Sequence, residues 1–123
     1  MDFNKLTYEI IGAAFDVHKE LGMGFLEAVY QEALEVEMSK RGIKFEKEKK
    51  LQIKYKEIFL NKFYIADFLC EDLILIELKA TNAISNYDVS QAINYLKATE
   101  LKLCMILNFG SESLIHKRVV YNL

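Results

Sequence analysis

The segment from Phe63 to Ala80 constrains the fold more than any other part of the chain, because it sets charged side chains within apolar runs. The first run contains Asp67, and the second ends in Glu77, Leu78 and Lys79. Runs this apolar are typical of strands buried inside a sheet, where an unpaired charge is strongly destabilising. The charges at the ends of these strands therefore call for a reason other than packing.

The two apolar runs are predicted to form a hairpin whose register can be tested. Glu77 and Lys79 are two residues apart, so they emerge from one face of their strand. If the connecting loop were only Glu71-Asp72, Asp67 would lie opposite Ile76 and point away from Glu77. A three-residue loop or a bulge would instead pair Asp67 with Glu77. We predict that one of these two features is present.

Hydrophobic periodicity along the chain predicts an α/β fold. Three- and four-residue spacing of apolar residues indicates helices over residues 5–21, 26–41 and 87–100. Alternating or continuous apolar runs indicate strands over residues 43–55, 59–70, 73–80, 102–108 and 114–121. In the first of these strands the alternation is strict, which predicts a single wet face. The order is ααβββαββ, and we expect a mixed central sheet flanked by helices.

Length and composition favour one domain over residues 1–123, since 123 residues with 52% hydrophobic content can bury a substantial core. Cys70 and Cys104 lie inside apolar runs and lack the spacing of a metal knuckle, as expected for core residues in a reducing compartment. The N-terminus lacks the order of a signal peptide, and no apolar run approaches the length needed to cross a membrane. We therefore expect a cytoplasmic protein without a membrane partner.

Charge is distributed unevenly along the chain. Residues 40–62 carry nine Lys or Arg against three Glu, whereas residues 1–39 carry eight acids against two lysines. Because the net charge is -2, any contact with nucleic acid must come from a local basic patch. The basic strand from Lys44 to Lys56 could follow a phosphate backbone. It could equally be a solubilising edge that deters strand-to-strand aggregation, and the sequence leaves both open.

Asp67, followed after nine residues by Glu77-Leu78-Lys79, resembles the signature of the PD-(D/E)xK nuclease superfamily. The core of that superfamily is helix, three strands, helix, strand, so the resemblance implies a restriction-endonuclease-like fold. It also implies that Asp67 and Glu77 bind Mg²⁺, with Mn²⁺ as a substitute, aided by the backbone carbonyl of Leu78. Lys79 would orient or activate the attacking water. Ala66 stands where the signature has proline, so this chain departs from the literal motif.

Two further patterns narrow the resemblance. Residues 24–30, GFLEAVY, reproduce the pattern that names the small GxxExxY protein family, and the likeness covers nearly the whole chain. Residues 91–95, QAINY, are similar to the Gln-x3-Tyr of the exonuclease branch, where that helix face borders the active site. The resemblance implies that Glu27 completes the metal site. It also implies substrate-positioning or supporting roles for Tyr30, Gln91 and Tyr95.

The residue types support this chemistry independently of the resemblance. Mg²⁺ prefers hard oxygen ligands and retains several waters; it can polarise a phosphoryl oxygen while a lysine offsets developing charge. A histidine site is not expected, because His18 and His116 fall on different elements. Taken singly, Glu77 and Lys79 could be an ordinary ion pair, and Glu27 could be a solvated helix residue.

The leading hypothesis is a Mg²⁺-dependent nuclease that hydrolyses phosphodiester bonds in nucleic acid, with DNA favoured over RNA. The alternative is a catalytically inactive module that keeps the fold and acts through a protein or nucleic-acid partner. A third reading is a structural interaction protein in which the charges form only ion pairs. A chain of this length leaves little room for target recognition, so a protein partner or a homodimer could supply it.

Overall fold

The structure, a computed structural model, describes residues 2–122 and has the predicted order ααβββαββ. The elements are α1 (Phe3–Leu21), α2 (Glu27–Lys40), β1 (Phe45–Tyr55), β2 (Ile58–Cys70), β3 (Ile74–Lys79), α3 (Asn86–Thr99), β4 (Leu103–Asn108) and β5 (Ile115–Val120). The predicted fold class is confirmed, and each predicted boundary lies close to the observed one. None of the helices in the described part of the chain is both long and apolar enough to cross a membrane.

The five strands form one mixed sheet in the order β1-β2-β3-β4-β5. β3 and β4 are parallel, and the other neighbouring strands are antiparallel. The parallel pair follows from the chain order, because α3 provides the crossover that two parallel strands require. The C-terminal ends of β3 and β4 therefore meet at one edge of the sheet, beside the start of the segment that leads into α3.

Apolar side chains form a core on each face of the sheet. On one face, α1 and α2 cover Ile74, Ile76 and Leu78 of β3. On the other face, α3 covers Leu75 of β3 together with residues of β4. Both buried cysteines lie in these cores, as the sequence predicts. By strand alternation Glu77 lies on the same side as Leu75, towards α3.

The α2 helix is fixed against α1 by Arg41. Its guanidinium donates to Glu9 Oε1 at 3.1 Å and to Asp16 Oδ2 at 2.9 Å. These ion pairs are partly exposed, so each contributes modestly to stability. They join the C-terminal end of α2 to α1, while the buried residues Tyr30, Leu34 and Met38 pack α2, which begins at Glu27, into the same core as α1.

The predicted alternation along β1 holds, since the even-numbered residues from Glu46 to Lys54 are all exposed, but these residues do not share one face of the sheet. Phe45 packs against the α1–α2 core, whereas Leu51 belongs to the α3 core. Between them Glu48 has a φ of 54°, in the left-handed region that non-glycine residues rarely adopt. The two faces of the strand therefore exchange at Glu48.

The partner strand changes face at the same level. Phe68 of β2 lies in the α1–α2 core and Ala66 in the α3 core, although both have even numbers. The register runs from Lys47↔Phe68 directly to Lys49↔Ala66, passing over the position of Glu48 and Asp67. Asp67 thus lies at a kink that both strands share.

The predicted three-residue hairpin loop is present between β2 and β3. The pairs Phe68↔Ile76 and Cys70↔Ile74 leave residues 71–73 as the loop. The N–H of Leu73 donates to the carbonyl of Cys70 at 2.9 Å, which closes the turn. Continuing this register places Asp67 opposite Glu77.

β2 is much longer than β3. Its pairing with β3 is formed by residues 68–70, while its pairing with β1 continues out to Tyr55↔Ile58. Residues 49–66 therefore form a two-stranded extension of the sheet, here termed the β1–β2 arm.

Candidate functional site

The carboxylates of Asp67 and Glu77 lie where the ladder between β2 and β3 ends. The N–H of Leu78 donates to Asp67 Oδ2 at 2.8 Å, and the N–H of Asp67 donates to Glu77 Oε1 at 3.2 Å. Each carboxylate thus accepts a hydrogen bond from the backbone of the opposite strand. The structure brings these two predicted residues together as the three-residue loop requires.

Burial makes this pair of acids electrostatically unfavourable without a nearby cation. Desolvation and then the neighbouring Asp67 raise the pKa of Glu77 to about 8. Desolvation also raises the pKa of Asp67, against the opposing effects of the Leu78 N–H and of Lys79. Two desolvated carboxylates whose pKa values are both raised form a donor set suited to a hard divalent cation.

Lys79 lies on the same face of β3 as Glu77 and forms an ion pair with Asp88. Its Nζ is 3.6 Å from Asp88 Oδ1. Asp88 also belongs to the capping box of α3: it accepts from the N–H of Ser85 at 3.0 Å, and its own N–H donates to Ser85 Oγ at 3.1 Å. The start of α3 therefore fixes the carboxylate that anchors the Lys79 ammonium.

Sequence reasoning missed Asp88 as a member of this cluster. Desolvation raises its pKa, but hydrogen bonds from Ser85 and the charge of Lys79 together lower the pKa below its usual value. The signal was present in the sequence, since Ser-x-x-Asp before a helix is a variant of the capping box. What the sequence could not show is that Lys79 lies within reach.

Glu27, the first residue of α2, faces the same cluster from the other layer. Desolvation and then the charge of Asp67 raise the pKa of Glu27. The charge of Lys79 lowers this pKa, and that of Asp88 raises it. Glu27 is nonetheless exposed. Within residues 2–122, no three His, Cys, Asp or Glu side chains converge closely enough to hold a metal ion together. Asp67 and Glu77 thus form the nucleus of the site, with Glu27 at its margin.

Tyr30, expected to position substrate, is completely buried, with 0% of its side chain exposed. Its ring stacks on Phe109 with centroids 4.7 Å apart. Its hydroxyl donates to the carbonyl of Gly22 at 2.5 Å and accepts from the N–H of Phe25 at 3.2 Å. This placement corrects the expectation: Tyr30 holds the loop that leads into Glu27, and does not reach the surface where a substrate would bind.

Tyr95, predicted to border the site, lies near enough to the two carboxylates for their charges to act on its hydroxyl. It is 8% exposed and its ring packs against Tyr64 with centroids 5.0 Å apart. Desolvation raises its pKa, and the charges of Glu77 and Asp67 raise it further. Gln91, one helical turn earlier, is half-buried on the same face of α3.

Asn108, which the sequence analysis did not single out, fixes the backbone that follows Lys79. It is fully buried and pairs with Lys79 across the parallel strands. Its Oδ1 accepts from the N–H of Thr81 at 3.0 Å, and its Nδ2 donates to the carbonyl of Thr81 at 2.9 Å. Gly110 completes this contact, because a Cβ there would lie 2.3 Å from backbone atoms of Thr81. The signal for Asn108 in the sequence was a single amide side chain at the end of an otherwise apolar strand.

The fold and this pair of acids define a class: a mixed α/β sheet in which two backbone-bonded carboxylates and a lysine lie where the pairing of two central strands ends. A family model for the PD-(D/E)XK nuclease superfamily matches residues 4–119. The chain therefore belongs to the PD-(D/E)XK nuclease superfamily. Members of this superfamily generally use divalent metal ions.

Solved structures show the same fold. The alkaline exonuclease LHK-Exo from Laribacter hongkongensis matches with a TM-score of 0.57 and 14% identity, covering 98% of this chain and 71% of its own. The crystal structure of SSO0001 matches with a TM-score of 0.61 and 14% identity, covering 79% of this chain. The match spans only 51% of the length of SSO0001. No curated protein sequence matched the chain significantly.

Proposed function

We propose that this chain is a metal-dependent nuclease that hydrolyses phosphodiester bonds, with Mg²⁺ as its ion, Mn²⁺ as a substitute and DNA as the favoured substrate. The observation that carries the proposal is the pair of carboxylates Asp67 and Glu77, each held by a backbone N–H of the opposite strand, next to Lys79. Membership of the nuclease superfamily supports the same reading. The GxxExxY pattern, with Tyr30 holding the loop before Glu27, supports assignment to that smaller family.

Asp67 and Glu77 would hold the ion, together with the backbone carbonyl of Leu78, and Glu27 would complete the site from α2. A bound divalent ion supplies charge stabilisation at the phosphoryl oxygen and makes a bound water more acidic. The donor set fits such an ion, because its buried acids exceed the cationic charge that Lys79 provides. Cation binding would remove the proton that the raised pKa of Glu77 favours near neutral pH.

Lys79 would place its ammonium near the reacting phosphate. A lysine at this position offsets negative charge that develops as the phosphodiester bond breaks. Asp88 keeps the ammonium near the mouth of the site, and Tyr95 borders the carboxylates from α3. Tyr95 and the half-buried Gln91 would limit where a substrate can lie.

One observation favours the alternative, an inactive binding module of the same fold. Three acidic ligands do not converge within the described residues, and Glu27 is exposed at the margin of the site. The module would then bind a protein or nucleic-acid partner without turnover. A cytoplasmic location and a homodimer also remain predictions.

The decisive experiment is a cleavage assay on single- and double-stranded DNA and RNA, with Mg²⁺, Mn²⁺ or EDTA. We expect metal-dependent cleavage by the wild type and its loss in Lys79→Ala, with circular dichroism confirming an unchanged fold. Lys117→Ala, an exposed lysine of β5, is the matched control and should cleave normally. Absence of cleavage on every substrate by the wild type would favour the binding module, and equal cleavage by Lys79→Ala would reject the assigned lysine.

A further inference from the structure

A groove of about 630 Å³ lies between the β1–β2 arm and the C-terminal half of α3. The arm contributes Lys54, Phe59 and Tyr64 to its walls, and α3 contributes Asn94 and Lys97. The groove is open to solvent, and its volume falls in the range of sites that bind small ligands or parts of larger ones.

The groove combines cations with accessible aromatic faces. Phe59 is 60% exposed, which is unusual for so large an apolar side chain. The ammonium of Lys54 lies 5.7 Å from the centroid of the Phe59 ring, and Lys97 stands on the opposite wall. Glu100, at the end of α3, also lines the groove. Lysines interleaved with exposed aromatic rings are typical of surfaces that contact phosphates and unpaired bases.

The groove lies beside the carboxylate site, because both are formed by β2 and α3. Tyr64, in the wall of the groove, packs against Tyr95, which borders Asp67 and Glu77. Asp67 follows Tyr64 by three residues on the same strand. One end of the groove is therefore separated from the two acids by this pair of tyrosine rings.

We propose that this groove binds a single-stranded segment of the nucleic acid that the carboxylate site cleaves. The inference rests on the proposed function and specifies its substrate as an unpaired strand or unpaired end. Bases can stack on Phe59 and Tyr64 only when they are not enclosed in a duplex, while Lys54 and Lys97 face the phosphates. Of the basic strand from Lys44 to Lys56, Lys54 is thereby assigned a ligand.

Charge distinguishes this occupant from a second copy of the chain. Residues 49–66 carry five lysines against one glutamate. Two such arms would repel each other if they packed together, whereas a polyanion is attracted to them. A single-stranded nucleic acid also uses both the cations and the aromatic faces.

The test is binding of fluorescently labelled twelve-nucleotide DNA, either single-stranded or as a duplex, measured by anisotropy in EDTA so that no cleavage occurs. We expect the single strand to bind the wild type more tightly than the duplex. Phe59→Ala should weaken single-strand binding about 5-fold or more, from the loss of one stacked base. Lys97→Gln should make the dependence of log Kd on log salt concentration shallower by about 0.7, the value for one phosphate contact on a single strand.

Matched controls come from the same arm. Phe63 is 44% exposed and follows the alternation of β2 to the face opposite Tyr64, so Phe63→Ala should change binding less than about 2-fold. Lys62 is exposed on the arm but is not among the groove residues, so Lys62→Gln should leave the salt dependence close to that of the wild type. Equal losses in the groove variants and in these controls would overturn the assignment.

Other outcomes separate this inference from the proposed function. Tighter binding of the duplex, or a concentration-dependent dimer that Phe59→Ala abolishes in analytical ultracentrifugation, would overturn the groove assignment even if the protein cleaves nucleic acid. If the wild type cleaves no substrate but binds the single strand through the groove, the groove assignment is supported and the proposed nuclease function is rejected.

Discussion

The two parts of β2 on either side of Asp67 lie in opposite surroundings. Residues 68–70 are paired on both sides and buried between the two cores, whereas Ile58, Phe59, Phe63 and Ile65 on the arm are exposed. Asp67 lies at the boundary, where the pairing of β2 with β3 ends and side chains accept hydrogen bonds from the backbone of the opposite strand. The buried part of β2 therefore fixes the geometry of the acids, while its exposed part is available for contact with a ligand.

The largest expected effect comes from removing charge at the boundary while keeping its hydrogen bonds. Asn can still accept from the Leu78 N–H, so Asp67→Asn should preserve the fold but reduce metal-dependent cleavage by about 10² to 10³ or more. Asp72→Asn, in the exposed hairpin loop, is the control. Rates should be measured at several metal concentrations. If Asp67→Asn cleaves like the wild type, the chemistry does not depend on the acid at this boundary.

The second prediction concerns pH and follows from the raised pKa of Glu77. Because that pKa is about 8 in the folded state and 4.5 ordinarily, the folded protein holds an extra proton between these values. The metal-free protein should therefore lose stability as pH rises through this window, by up to about 1.4 kcal/mol per pH unit. Urea unfolding at several pH values measures this slope, and Glu77→Gln should flatten it.

Bound metal should reverse that loss. Mg²⁺ or Mn²⁺ at about 100 times Kd should stabilise the wild type by about 2.7 kcal/mol and raise its Tm, but should leave Asp67→Asn nearly unchanged. Equal stabilisation of both proteins would place the metal elsewhere.

A smaller effect is expected where α2 meets the boundary. Tyr30→Phe keeps the ring stacked on Phe109 but removes the hydroxyl bonded to Gly22 and Phe25. It should lower the free energy of unfolding by about 1–2 kcal/mol and increase hydrogen exchange in the loop before Glu27. Tyr8→Phe, at an exposed position, should do neither. A stable variant with normal loop protection would show that the hydroxyl does not hold the loop.

The smallest effect separates the two roles of Asp88. Asp88→Asn can keep the capping hydrogen bond but loses the ion pair with Lys79, so cleavage should fall about 3- to 10-fold, equivalent to about 1 kcal/mol, with little change in Tm. Ser85→Ala loses a cap, which should lower stability by about 1 kcal/mol while leaving the ion pair. The two variants should therefore affect different measurements, and identical profiles would show that Asp88 acts only as a cap.

Much of this arrangement could be predicted because it depends on local pattern. The periods of the apolar residues define the helices and strands, and hairpin parity requires the three-residue loop that brings Asp67 opposite Glu77. The change of face at Glu48 could not be predicted, since a positive φ in a strand of alternating residues leaves no mark in the residue types. Tyr30 was misassigned because burial depends on Phe109, which is distant along the chain.

Because the strands exchange faces at Glu48, the length of the β1–β2 arm beyond that residue is independent of the surroundings of Asp67. Beyond this kink the arm is a two-stranded ribbon whose register shifts once, between Gln52 and Lys54, before the turn near Lys56. Adding two residues to each strand beside that turn would lengthen the ribbon by about 7 Å and keep every inner side chain facing inward. Adding one to each would turn the outermost side chains over. Under the groove proposal, the length of the ribbon would set how many nucleotides the arm contacts, and it would do so without altering the surroundings of Asp67.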